Sequence, residues 1–60
     1  MIEYFYDWEG DVVFKSDSEN RKYFAKLKGR QEIEVKFEHP GFQRAFMVGD
    51  KISKEEYDNF

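Results

Sequence analysis

Residues 32–37 read Glu-Ile-Glu-Val-Lys-Phe, and this strict alternation of charged and apolar side chains decides the fold class. A period of two places the apolar residues on one face of a β-strand and the charged residues on the other. Residues 2–8 (Ile-Glu-Tyr-Phe-Tyr-Asp-Trp) also alternate, and residues 12–15 (Val-Val-Phe-Lys) are rich in strand formers. The sequence therefore predicts antiparallel strands joined by short turns.

Residues 16–29 fit two interpretations. Ser16 or Asp17 is a suitable cap for a helix over 17–28, and Gly29 stands just past its end. A strand over 21–28 instead joins the residues before and after it into one sheet. Residues that face each other across neighbouring strands must agree in character, and this test favours the strand. A ββαββ arrangement with a central helix at about 17–28 is the alternative.

The three hairpins predict how the strands pair. A three-residue loop Trp8-Glu9-Gly10, with Gly10 in the left-handed conformation, brings Tyr4 opposite Phe14. The following turns bring Phe14 opposite Tyr23, and then Tyr23 opposite Phe37. The same pairing sets three lysines against three glutamates: Lys22, Lys26 and Lys28 against Glu38, Glu34 and Glu32.

This pairing gives the sheet an inner face, which the rest of the chain must cover because a single sheet cannot bury its own apolar side. Residues 42–48 fit a fifth strand or a short helix, and both remain open. Ser53-Lys54-Glu55-Glu56 matches the capping-box pattern and predicts a helix at about 54–60. The predicted inner face consists of Tyr4, Tyr6, Phe14, Tyr23, Leu27, Ile33, Val35 and Phe37.

The predicted fold is α+β and occupies one small domain, residues 1–60. It is a small antiparallel β-meander of four to five strands, either open or curled into a barrel-like form, with a short C-terminal helix. The chain has seven Phe, four Tyr and one Trp, but no Cys. With no disulfide, a domain of this size must be stabilised by packing or by association.

The composition argues against the common catalytic and metal-binding classes. One His and no Cys exclude a histidine cluster and a thiolate metal site. No nucleotide-binding, hydrolase or zinc motif is present, and no motif ties the chain to a known family. The turn acids Asp7, Glu9 and Asp11 lack the spacing of a calcium loop, and His39 precedes Pro40 as a turn residue. We therefore expect no enzyme, no cofactor and no bound metal.

The compartment is predicted from what the sequence lacks. Residues 1–4 (Met-Ile-Glu-Tyr) show neither the basic nor the apolar part of a signal peptide. No apolar run approaches the ~18 residues of a membrane span. The lack of cysteine fits a reducing compartment. We expect a cytoplasmic protein that does not enter a membrane.

The outer face of the predicted sheet carries the predicted binding site. Phe5, Val13 and Phe24 form an apolar row there, and Trp8 stands on the adjoining loop. Exposed apolar clusters rimmed by charge mark contact sites, and Trp is frequent in binding hot spots. We predict that these four residues bind a protein partner, so that the chain serves as a non-catalytic interaction module, a small inhibitor or an adaptor.

Two other partners are considered. A homodimer would join through this face or through a sheet edge, with residues 2–8 as one exposed edge. Single-stranded nucleic acid would use the aromatic rings and a basic block. Nucleic acid is disfavoured because three of the lysines face glutamates and the net charge is −3. The basic block consists of Arg21, Lys22, Lys26, Lys28 and Arg30.

Overall fold

The computed structural model describes all residues 1–60 and contains five strands and two short helices. The elements are β1 (Ile2–Asp7), β2 (Val12–Asp17), β3 (Lys22–Leu27), β4 (Ile33–Val35), α1 (Pro40–Val48), β5 (Asp50–Ile52) and α2 (Lys54–Asp58). All strand pairs are antiparallel, and the sheet order is β4-β3-β2-β1-β5.

The predicted α+β class is confirmed, as are the antiparallel sheet and the short C-terminal helix. The sheet is not closed, so the barrel-like form is wrong. The alternative central helix at about 17–28 is also wrong, because residues 22–27 form β3. Cross-strand pairing with β2 and β4 outweighs the helix-cap signals around Ser16 and Gly29.

The first hairpin differs from the predicted pairing by one residue. Its loop has four residues, 8–11, and Asp11 rather than Gly10 is left-handed, with φ 52°. Phe5 therefore lies opposite Phe14, and Tyr4 lies opposite Lys15. A slip of one residue moves every side chain of a strand to the other face. The predicted face of each β1 residue is consequently wrong.

The second and third hairpins differ from the predicted pairing by two residues. Ala25 lies opposite Phe14 on one side and opposite Ile33 on the other. A shift of two preserves the face of each side chain, because side chains alternate with a period of two. Tyr23, Ala25 and Leu27 therefore lie on one face, as predicted.

Helix α1 covers part of one face of the sheet. His39 caps it, because the Nδ1 atom accepts hydrogen bonds from the N–H groups of Gly41 (3.1 Å) and Phe42 (3.3 Å). Pro40 occupies the first helical position, where its missing N–H costs nothing. This helix packs on β1 and β2 and completes the main core. The core cluster consists of Phe5, Phe14, Ala25, Phe42 and Ala45.

Helix α2 covers the opposite face. The predicted capping box is present, since the Ser53 hydroxyl accepts from Glu56 N–H and the Glu56 carboxylate accepts from Ser53 N–H. The Tyr57 ring lies 5.1 Å from that of Tyr4, centroid to centroid. Both faces of the sheet thus carry a helix. Tyr4, which lies on the face opposite α1, is therefore covered by α2.

Two further expectations about exposure are wrong. Leu27, Ile33 and Phe37 are predicted as core but are 52%, 61% and 45% exposed. Leu27 and Ile33 lie outside the core cluster that α1 completes, and Phe37 contacts Phe42 of α1 on one side only. Strand β1 is not an edge, because β5 pairs with it. The edges of the sheet are β4 and β5.

Candidate interaction surface

The predicted binding residues Phe5, Val13, Phe24 and Trp8 do not form one surface. Phe5 and Val13 are buried, at 7% and 1% exposure, on opposite faces of the sheet. Phe24 is half-buried, and the Lys15 ammonium lies 4.6 Å from its ring centroid. Trp8 is 63% exposed on the first loop. The predicted exposed row is therefore wrong. The slip of β1 moves Phe5 to the other face, and Val13 is buried on the face that α2 covers.

The structure exposes a different apolar surface on the α1 face. Helix α1 packs mainly on β1 and β2 and reaches β3 through Phe42, whose ring centroid lies 5.1 Å from that of Tyr23, whereas Leu27 and Ile33 on the same face stay exposed. A groove of about 470 Å³ lies there, with the start of α1 as one wall. We call it the open groove. Its apolar lining consists of Val12, Phe14, Ala25, Leu27, Ile33 and Val35.

One end of the open groove carries an ion pair between α1 and β1. Asp7 is buried, and its carboxylate accepts a hydrogen bond of 2.6 Å from the Arg44 guanidinium. The N–H groups of Glu9 and Gly10 also donate to it. These donors hold the pKa of Asp7 below its ordinary value, the Arg44 hydrogen bond contributing most. The carboxylate is therefore ionised and fully partnered.

One charged side chain that lines the open groove has no partner within the chain. Arg30 is exposed and forms no ion pair. Arg44, by contrast, pairs with the Asp7 carboxylate at 2.6 Å and lies 3.7 Å from that of Glu9. The open groove therefore offers one free guanidinium group, that of Arg30, to a partner.

The basic block is not neutralised in the predicted way. Lys26 Nζ donates to the main-chain carbonyls of Tyr57 (3.1 Å) and Asp58 (2.8 Å), at the end of α2. Glu32 pairs with Lys15 instead, at 3.2 Å. The shift of two residues between strands causes this difference. The block's other members have exposed side chains without ion pairs: Arg21, Lys22, Lys28 and Arg30.

The acids of the first turn are engaged separately. Asp7 binds Arg44, and the Asp11 carboxylate accepts from the Tyr6 hydroxyl at 3.0 Å, which raises the pKa of Tyr6. Glu9 is exposed and lies 3.7 Å from Arg44. No group of three or more His, Asp or Glu side chains is arranged to hold a metal ion.

The α2 face has a depression of about 500 Å³, which is lined by fewer apolar side chains than the open groove. Two of its apolar lining residues, Tyr6 and Phe60, pack against each other with their ring centroids 5.8 Å apart. Nearby, Tyr57 is buried, and its hydroxyl donates a hydrogen bond of 2.7 Å to the Glu32 carboxylate. Burial raises the pKa of Tyr57 most, and the hydrogen bond to Glu32 raises it further. The aromatic side chains of this face thus have partners within the chain.

The chain has no match among the known proteins with which it was compared. No protein-family model matches the chain, and no curated protein or solved structure matches it either. Neither helix has the length and apolar character needed to cross a membrane.

The sequence contains a signal for the length of the first loop that the predicted three-residue loop does not use. Asp7-Trp8-Glu9 and Asp17-Ser18-Glu19 share the pattern Asp-x-Glu, ten residues apart. In each hairpin the first Asp accepts a hydrogen bond from a loop N–H, and the fourth loop residue is left-handed. Asp favours such local bonds to its own turn. A first loop of four residues, 8–11, like the second at 18–21, gives the pairing of Phe5 with Phe14 that the structure shows.

Proposed function

We propose that this protein is a non-catalytic interaction module of the cytoplasm that binds a protein partner through the open groove. The observation that carries the proposal is the exposure of Leu27 and Ile33, at 52% and 61%, beside a groove whose floor is continuous with the core. Contiguous exposed apolar surface of this kind marks contact sites.

Leu27 and Ile33 do not belong to the core cluster, which consists of other residues. Both lie on hydrogen-bonded strands, so the surface is held rigidly before a partner arrives. A rigid surface loses little conformational freedom on binding, which favours affinity.

The groove chemistry supports binding rather than catalysis. A general acid or base needs a pKa close to the working pH, whereas the pKa of Asp7 is lowered and its oxygens are already partnered. The Nδ1 atom of His39 is used to cap α1. The groove lining contains no Ser, Thr, Cys, Lys or Tyr that would serve as a nucleophile.

Affinity capture from the lysate of the native host tests the proposal. Bait proteins are the wild type, Ile33→Lys in the groove and Val48→Lys as the matched control. Val48 is 68% exposed at the end of α1 and does not line the groove. We expect a protein retained by the wild type and by Val48→Lys but lost by Ile33→Lys. Equal retention by all three baits, or no retained protein, contradicts the proposal.

A further inference from the structure

Building on that proposed function, we infer that the open groove binds an acidic amphipathic helix of the partner protein, lying beside α1 on the same face of the sheet. The inference rests on the width of the groove, the hydrogen bonding of its floor and the charge at its end.

The width of the groove suits a helix. Its floor is formed by residues of β2, β3 and β4. Neighbouring strands lie about 4.8 Å apart, so three strands span about 10 Å. This matches the diameter of an α-helix with its side chains, about 10–12 Å. Since α1 already covers the other half of the face, a partner helix would complete a layer of two helices.

The hydrogen bonding of the floor also favours a helix. β3 pairs with β2 on one side and with β4 on the other, so the sheet already uses the main-chain groups along it. An extended segment laid across this floor would therefore leave its own N–H and C=O groups without partners, which is costly in a buried contact. A helix satisfies these groups internally. An extended segment would instead join the free edge of β4, outside the groove.

The charge at the groove end selects an acidic helix. Arg30 is exposed and has no ion pair, whereas Arg44 is already paired with Asp7 and lies 3.7 Å from the Glu9 carboxylate. A carboxylate of the partner near Arg30 completes this arrangement. A second copy of the chain packed groove to groove would offer Arg30 no free carboxylate, because Asp7 is the one acidic residue that lines the groove and it is already bound to Arg44, so this occupant is disfavoured.

Labelled synthetic peptides test the inference by fluorescence anisotropy. The probe is a peptide of about 17 residues, a length that at about 1.5 Å per residue spans the domain's longest dimension of 25 Å. It has Leu at positions i, i+3, i+4 and i+7 of each repeat, with Glu and Ala elsewhere. Three comparison peptides replace Glu by Lys, place Pro at the centre, or scramble the order.

We expect the acidic helical peptide to bind with a dissociation constant below about 1 mM, and the three comparison peptides to bind at least about tenfold more weakly. Ile33→Lys is expected to abolish binding, and Val48→Lys to leave it unchanged. Arg30→Glu is expected to weaken the acidic peptide about tenfold and to favour the Lys peptide, which a merely apolar contact would not do.

Three results would overturn the inference: no binding of the acidic peptide at about 1 mM, equal binding of the Pro or Lys peptide, or no effect of Arg30→Glu. The capture experiment separates the two proposals. If a captured protein is lost with the Ile33→Lys bait but the acidic peptide does not bind, the inference of a helical ligand is wrong and the proposed function of the open groove is supported. If capture is also insensitive to Ile33→Lys, both proposals fail.

Discussion

Replacing Arg44 by Met removes the side chain that neutralises the buried Asp7 carboxylate and keeps a good helix former in α1. Removing one partner of a fully buried pair costs about 3–5 kcal/mol, because an uncompensated charge remains. Asp7 is 5% exposed, but the Arg44 side chain is 45% exposed, and two N–H groups still donate to the carboxylate. Partial access of water reduces the cost to about 2 kcal/mol.

The matched control is Lys51→Met. Lys51 pairs with Glu3 at 2.7 Å, but the two side chains are 65% and 32% exposed. Exposed pairs contribute less than about 1 kcal/mol, so Lys51→Met is expected to be nearly neutral. Urea unfolding followed by far-ultraviolet circular dichroism measures both variants. Fluorescence is less suitable, because Trp8 is 63% exposed when folded.

The cost of Arg44→Met should depend on pH. Because folding lowers the pKa of Asp7, the stabilisation from this carboxylate is present above its unfolded pKa of about 3.9 and is lost as the pH falls through the folded value. The difference between wild type and Arg44→Met should therefore shrink between pH 7 and pH 2, and in an Asp7→Asn background it should be small at both. A difference below about 0.5 kcal/mol at pH 7, or one independent of pH, refutes the reasoning.

Three further predictions concern the two faces of the sheet, the close packing of the backbone at Gly49 and the binding of nucleic acid. Phe5→Ala should lower the free energy of unfolding by about 3–5 kcal/mol, and Phe24→Ala by about 1 kcal/mol, in urea unfolding; equal losses would contradict the face assignment. Gly49→Ala should lower the melting temperature, because a Cβ there would lie 2.6 Å from the Ala45 carbonyl oxygen and 2.8 Å from that of Tyr6; an unchanged melting temperature would contradict this packing. A labelled single-stranded oligonucleotide should not bind at low salt, and binding that falls steeply as salt rises would revive the nucleic-acid interpretation.

The fold class could be predicted from the sequence because local signals agree with it. Alternation at residues 32–37 and the capping box at Ser53 and Glu56 each act within a few residues. For β3 and β4 the predicted pairing is wrong by two residues, which leaves the predicted face of each side chain correct. For β1 the predicted pairing is wrong by one residue, which reverses the face of each side chain. The wrong length of one loop is therefore enough to predict Phe5 on the surface, although it lies in the core.

The candidate site could not be predicted, because it depends on contacts distant in sequence. The register places the Asp7 carboxylate on the same face as Phe5, and the side chain that neutralises it there, Arg44, is 37 residues away. The exposure of Leu27 and Ile33 depends on how far α1 extends over the sheet. The composition is rich in aromatic rings, and several of those on the sheet pack against rings of α1, of α2 or of the C-terminal residue Phe60. The two side chains left exposed beside the open groove, Leu27 and Ile33, are aliphatic.

The most direct test of the open groove as the interaction surface is a nuclear magnetic resonance titration. The ¹⁵N-labelled protein is mixed with the purified partner obtained by capture, and the shifts of its amide signals are mapped onto the sheet. We predict that the largest changes fall at Leu27, Arg30, Ile33 and Val35, around the groove. Changes centred instead on Trp8, or on the exposed side of α2, would contradict the account.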